Sequence, residues 1–426
     1  MKPIPSSAFS LVLGFVALNA SPLRAQHVFV VDANGGGSHT NVQAAVDAAV
    51  DGDWILISTG TYTEHVKIEG KSLWLQGGSP APLLDTVQWS KHPDGKTSKI
   101  SNLRLGISNF TFPIPDATYI RGSGNIVVTR VQFRFAGVSI ELTGNVSLRD
   151  CSFAGVALYG YGLAPPNTGL YISNAALVTI DACEIRGGPG AGLSSWTING
   201  GIGLSIYKCP RVEITASKIV GGTGVYYYCG FECGFYGNGG PGMSLTESDA
   251  RVRGDSAYTI IGGTGYSSTG GAGIRCVQNS RLVVGGVQVI GGGGSRIGAV
   301  ISTDASSRVS FESKPFAPYL TMRAPFRLGA DATLDLHGQP QHAAIVLISH
   351  GIQPIDITFG TLYVDIATVL FTRATTTNAQ GVASFTIPTG TDPDLLRVPL
   401  FTQGVEVSPA FDLRLTNVVG SIPSFW

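Results

Sequence analysis

Charge is scarce in this chain. Asp, Glu, Lys and Arg make up only 13% of its 426 residues, and 28 basic residues cancel 28 acidic ones. A nucleic-acid or anionic-membrane partner therefore receives no electrostatic support. Histidine is sparse too, and His27, His39, His65, His92, His337, His342 and His350 all fall outside the most regular part of the sequence. That placement excludes a His-based groove there. Cys and His do not recur at ligand spacing, so neither metal nor cofactor is expected. Past the first 26 residues, no apolar run approaches the roughly 20 residues of a membrane span.

What the chain has in excess is glycine, 57 residues of it. The glycines do not follow the collagen spacing, so turns and loops are their expected use. Lys2, the apolar Ala8–Ala20 and small residues at Ala20 and Ala25 read as a secretory signal over residues 1–25. A secreted or cell-surface protein follows, with no membrane span after cleavage. Six Cys in an exported chain permit disulfides. Cys229 and Cys233 share the loop Cys-Gly-Phe-Glu-Cys and are the candidates for a local bridge. Cys151, Cys183 and Cys276 read as buried thiols.

A repeat between Gly137 and Gly292 organises the rest. Five segments open with Gly137, Gly169, Gly203, Gly242 and Gly273 and close with Gly155, Gly187, Gly221, Gly262 and Gly291. The first apolar pairs are Val138/Ile140, Leu170/Ile172, Leu204/Ile206, Met243/Leu245 and Ile274/Cys276. A second series runs Val146/Leu148, Val178/Ile180, Val212/Ile214 and Leu282/Val284. Period-two alternation marks strands with one buried face. Three short strands per repeat form one coil of a solenoid, and the inward rows stack into a continuous core. An antiparallel sandwich or barrel gives no reason for the same slots to recur at fixed offsets. The predicted fold class is all-β: a parallel β-helix over residues 26–334, with a capping helix at its start.

Thr40-Asn-Val-Gln43 reads as a capping box opening that helix, with Gly52 ending it. Residues 77–115 read as irregular, a lip or insertion before the regular coils. The inserts after each closing glycine, 156–168, 188–202, 222–241, 263–272 and 292–297, should emerge along one edge as flexible loops. From residue 335 to 426, short strands such as Ala343–Ile348 and Ala383–Ile387 suggest a small antiparallel β-sandwich.

Asn41-Val-Gln-Ala-Ala-Val-Asp-Ala48, Asp51-Gly-Asp-Trp-Ile-Leu-Ile57 and Gly60-Thr-Tyr-Thr-Glu64 resemble the amino-terminal cap of the pectin-lyase-like superfamily. The later coils are similar to its right-handed β-helix repeats. The resemblance covers roughly residues 28 to 312 and implies a fold rather than an activity, since the superfamily holds lyases, hydrolases, esterases and non-enzymes. The Gln-Asp and Asp-Phe motifs that would supply a pectinesterase's paired aspartates are missing from residues 110–240. Glu64, within the cap motif, reads as structural.

The outward face of the first strand carries Ser139/Glu141, Tyr171/Ser173, Ser205/Tyr207, Ser244/Thr246 and Arg275/Val277. Polar and aromatic side chains stacked at strand spacing suit an extended chain such as a polysaccharide. Glu141, Tyr171, Ser205, Tyr207 and Arg275 are the candidate ligand-contacting residues; any β-helix also places polar residues outward. Exposed aromatics in the inserts, among them Trp196, Tyr226, Phe231, Tyr236 and Tyr266, offer further stacking surface or cover the coil edges. Arg149/Asp181 and Glu184/Lys218 fall in equal slots of adjacent coils, as structural charge pairs would. The reading is a monomer that contacts a polysaccharide or surface glycan, with no catalytic residues assigned. A polysaccharide-degrading enzyme and a structural spacer or adhesin remain open.

Overall fold

The computed structural model describes residues 27–106, 118–134, 137–155, 168–190, 199–228, 234–254, 257–312, 318–324, 326–357, 360–391 and 400–421. The proposed signal segment and the Cys229–Cys233 pair lie outside them. No helix among the described residues is long and apolar enough to cross a membrane.

The first strands of successive coils, from Tyr119–Gly122 to Ile301–Thr303, pair in parallel, as do the third strands, from Arg104–Leu105 to Gln288–Ile290. The second strands form an 11-stranded parallel sheet from Val28–Val31 to Arg308–Phe311. The register matches the sequence repeat. Ile140, Ile172, Ile206, Leu245 and Cys276 follow one another inward, each no more than 1% exposed. Phe153, Ile185, Ile219 and Ile260 do the same on the third face. The chain is a parallel β-helix.

Corners are made by single residues in the left-handed region. Asn174, Lys208, Glu247 and Gln278 turn the chain after the first strand, with φ of 62°, 54°, 50° and 56°. Arg130, Asp150, Ala182 and Ala216 do so after the second. This conformation costs an L-residue about 1–2 kcal/mol. Coil-to-coil hydrogen bonds hold it: Lys208 N–H donates to Thr246 O at 3.0 Å, and Ala182 N–H to Thr215 O at 3.1 Å.

Three expectations change at the amino-terminal end and the coil edge. The stretch from residue 77 is no lip: Leu83–His92, Thr97–Ser101 and Arg104–Leu105 make an ordinary coil around the fully buried Trp89. Leu83–His92 runs through the corner as one strand, pairing with both the third-strand and first-strand ladders, so no corner glycine signals it. The helix, Val42–Ala48, is capped by Asn41 rather than Thr40; the Asn41 side chain accepts from Ala44 N–H at 2.8 Å. Ala49, not Gly52, is its C-cap. Glu64 completes the helix start, its carboxylate accepting from the Val42 and Gln43 N–H groups at 2.9 Å each.

The third change concerns glycine. The described parts of the inserts are not loose loops but a backbone stack. Outgoing segments such as Gly221-Gly222-Thr223-Gly224 and returning ones such as Gly239-Gly240-Pro241-Gly242 alternate in it. Gly222 N–H donates to Gly201 O at 2.7 Å, Gly240 to Gly222 at 2.9 Å, Gly263 to Gly240 at 2.7 Å and Gly271 to Gly263 at 2.8 Å. The Gly-Gly-x-Gly pattern has the three-residue period of a polyproline-II chain. Its x positions, Thr223 and Thr264 among them, face solvent while the glycines are buried. A Cβ on Gly240 would lie 2.0 Å from Gly201 O, so close approach demands glycine here.

Antiparallel strands begin at Tyr319–Ala324, ahead of the boundary expected at residue 335. Pro315, Pro318 and Pro325 had hidden that first strand among breakers. The strands form a three-stranded and a four-stranded sheet, with a two-stranded one beside them. Leu334, Leu336, Val346, Ile348 and Phe385 fill the space between the larger two. The sandwich folds back over the outward side of the second-strand sheet. Leu177 packs with Leu362, Tyr363, Val364, Leu415 and Val418, and Leu328 packs against Trp54, Trp74 and Val127.

Candidate functional site

The sandwich decides which outward face is available. On the second-strand face, Lys99, Arg149, Asp181 and Glu213 are all at most 4% exposed. Arg149 and Asp181 are neighbours in register, as their slots implied. The sandwich covers both, a burial that their slots alone did not indicate. Arg149 lies against Met322 Sδ and bonds Asp150 at 3.1 Å. Burial pushes the Asp181 carboxyl up to about 7 and the Lys99 ammonium down to about 7. The Tyr363 hydroxyl donates to Glu213 Oε1 at 2.9 Å, and burial holds that carboxyl above its usual range. Glu184 and Lys218 are paired in register, but Glu184 bonds Arg186 at 3.0 Å.

The sandwich does not cover the first-strand face, where the tyrosines are half-buried and Ser139, Ser173, Ser205 and Ser244 are at most 9% exposed. Its outward residues form two parallel rows. Tyr119, Ser139, Tyr171, Ser205, Ser244 and Arg275 follow one another in the first. The second holds Arg121, Glu141, Ser173, Tyr207 and Thr246. All five candidate residues therefore share one strip. Ser205 is buried at 9%, Glu141, Tyr171 and Tyr207 are half-buried, and Arg275 is exposed at the far end. Tyr119 and Tyr171 stand two strand spacings apart, about 10 Å.

Local bonds hold these side chains. Glu141 Oε1 accepts from Ser139 Oγ at 2.8 Å and from Arg121 Nη2 at 3.2 Å. Arg121 also lies over the Tyr119 ring, 4.7 Å from its centroid. Lys208 sits 4.9 Å from the Tyr207 ring, and its hydrogen bond to Tyr207, with the Glu247 charge behind it, raises its pKa. Partial burial raises the Tyr171 hydroxyl, a bond to Ser173 opposing it. Tyr119, Arg121 and Lys208 were missed in the sequence. Tyr119-Ile120-Arg121 alternates like its neighbours but follows Thr118 rather than an opening glycine, and Lys208 sits on a corner outside the alternation.

Among the described residues, the strip's carboxylates do not have the spacing of a glycosidase pair. Glu141 and Glu247 are three strand spacings apart, roughly 14 Å, against the ~5–9.5 Å such pairs need. Among the described residues, no group of three or more His, Cys, Asp or Glu could hold a metal ion. A second aromatic surface stands on the glycine stack. Tyr226, Tyr236 and Tyr266 pack with centroids 5.2, 5.9 and 6.3 Å apart and stay 38%, 53% and 51% exposed. Trp196 and Phe231 lie outside the described residues. The described cysteines Cys151, Cys183, Cys209 and Cys276 are buried free thiols.

Ladders, corners and uncovered strip together define a parallel β-helix protein with a folded-back β-sandwich. No family model matches the chain, and no curated protein matches it in sequence. Among solved structures, it is similar to the enzymatically active domain of bacteriophage CBA120 tailspike protein 2. The two share 9% identity over 95% of this chain and 77% of that one, with a TM-score of 0.30. At that distance the fold rests on this chain's own strand pairing.

Proposed function

We propose that the protein is a secreted or cell-surface β-helix protein of pectin-lyase-like type that contacts an extended polysaccharide or surface glycan as a monomer. The observation that carries this reading is the uncovered first-strand strip, where Tyr119, Tyr171 and Tyr207 stand among serine and threonine hydroxyls. Aromatic faces stack on the apolar faces of sugar rings, and neighbouring hydroxyls supply hydrogen bonds. The strip crosses many coils, so it suits a chain ligand rather than a compact one. The exposed tyrosines on the glycine stack extend the same chemistry. Binding rather than turnover is favoured by the wide spacing of Glu141 and Glu247.

A panel of purified polysaccharides tests this, read both by binding and by new reducing or unsaturated ends. The double variant Tyr171→Ala/Tyr207→Ala should keep wild-type thermal stability and lose about 2 kcal/mol of glycan binding, roughly 30-fold. Affinity should grow with ligand length and tolerate moderate salt. If the double variant binds every glycan as wild type does, the strip is ordinary surface. New chain ends that vanish in Glu141→Gln would make the protein an enzyme instead.

A further inference from the structure

Between the second-strand face and the sandwich lies a cleft of about 190 Å³. Its floor is made of outward residues on adjacent coils: Asn125, Asn145, Ser147 and Thr179. His350 and Phe401, from the sandwich, line it from the other side. Apolar packing flanks the cleft on this face, around Leu177 and around Trp54 and Trp74.

The lining is mixed, with Val127, Leu177 and Phe401 beside the polar side chains, and it carries no Asp, Glu, Lys or Arg. Asn125 is already engaged, its Oδ1 accepting from Asn145 N–H at 2.8 Å and its amide donating to Thr97 Oγ1 at 3.4 Å. The Asn145 side-chain amide and the Ser147 and Thr179 hydroxyls bond no side chain or backbone group among the described residues. Ser147 and Thr179 are only 7% and 6% exposed, and both line the cleft. These polar atoms open onto the cleft instead of being sealed from it, so an occupant there meets groups able both to donate and to accept. Phe401 adds one half-buried aromatic ring. The volume falls below the ~300–1,000 Å³ of pockets for drug-sized ligands and suits a single ring.

We infer that this cleft binds one neutral sugar residue, its hydroxyls on Asn145, Ser147 and Thr179 and an apolar ring face on Phe401. An acidic sugar would bring a carboxylate to a lining that holds no fixed cation. The site is separate from the first-strand strip and does not depend on it.

The test uses the full chain with D-glucose, D-galactose, N-acetyl-D-glucosamine and, as charged control, D-glucuronate, read by saturation-transfer NMR and calorimetric titration. At least one neutral sugar should bind and glucuronate should not. Thr179→Val removes one hydroxyl at constant shape and should weaken binding about five- to tenfold; Asn145→Leu fills the cleft and should abolish it. Thermal melts check that both variants fold, and Thr179→Val carries the test should Asn145→Leu fail to. The Tyr171→Ala/Tyr207→Ala variant should bind the monosaccharide unchanged. The inference is overturned if no neutral sugar binds, if glucuronate binds equally well, if Thr179→Val binds like wild type, or if the tyrosine variant loses the monosaccharide.

Discussion

Gly240→Ala adds a single methyl group to the glycine stack, and the structure says where it must go. The new Cβ would stand 2.0 Å from Gly201 O and 2.6 Å from Gly200 O, where real Cβ atoms essentially never come within 3.0 Å. No rotamer relieves this, because the obstacle is a carbonyl. The backbone must move by about 1 Å, and Gly240 is bonded on both sides, to Gly222 O at 2.9 Å and from Gly263 N–H at 2.7 Å. Overpacking costs about 1–3 kcal/mol, and each weakened hydrogen bond adds about 0.5–1.5. A loss of roughly 3 kcal/mol follows. With an unfolding entropy of ~2.1 cal/mol/K per residue, that lowers Tm by about 3 °C if the whole chain unfolds together. Gly293→Ala is the matched control. Gly293 occupies an x position, and its added methyl meets only Thr264 Cγ2 at 3.9 Å. It should be neutral or stabilise by about 0.4–1 kcal/mol. Scanning calorimetry on both proteins decides the matter: if Gly240→Ala melts with wild type, the glycines are not close-packed and the stack is misread.

Ile172→Asp puts a carboxylate into a core row where Ile172 is fully buried, at a cost of several kcal/mol unless it is protonated; normal secretion and melting would refute the inward register. Lys99→Met addresses the interface with the sandwich. Folding lowers the Lys99 pKa from 10.5 to about 7, so the unfolded chain binds the extra proton between those values and stability rises with pH across that window. The Met variant should lack that rise, so its stability relative to wild type should fall as pH climbs from 7 to 10.5; a pH-independent difference in denaturant midpoint would show that Lys99 is not buried as a cation.

The coils were legible because side chains write them: an inward row must be apolar in every turn, and Ile140, Ile172 and Ile206 repeat at one offset from a glycine. The strip was legible for the same reason, since its residues are the other half of that alternation. What failed to show had no side-chain period. Leu83–His92 crosses a corner without a glycine, so its coil looked irregular. The glycine stack is held by backbone alone, and its three-residue rhythm passed for turn chemistry. The burial of Arg149 against Met322 and of Glu213 against Tyr363 joins residues 173 and 150 positions apart along the chain. No local pattern records those contacts.

The folded-back sandwich also sets the order in which the molecule comes apart. In a bare solenoid each coil touches only its neighbours, so turns peel from an end one by one. Here the strand Leu413–Ser421 lies across the second strands of four successive coils, Asn125–Thr129 through Val212–Thr215. It acts as a splint: those turns cannot unzip singly without first shedding it. Among the described residues, the turns beyond Ile274 carry no such strap, and their last strands, Gln288–Ile290, Ile301–Thr303 and Arg308–Phe311, each have one ladder partner. Amide exchange should therefore run fastest from that end and slow abruptly where the splint begins.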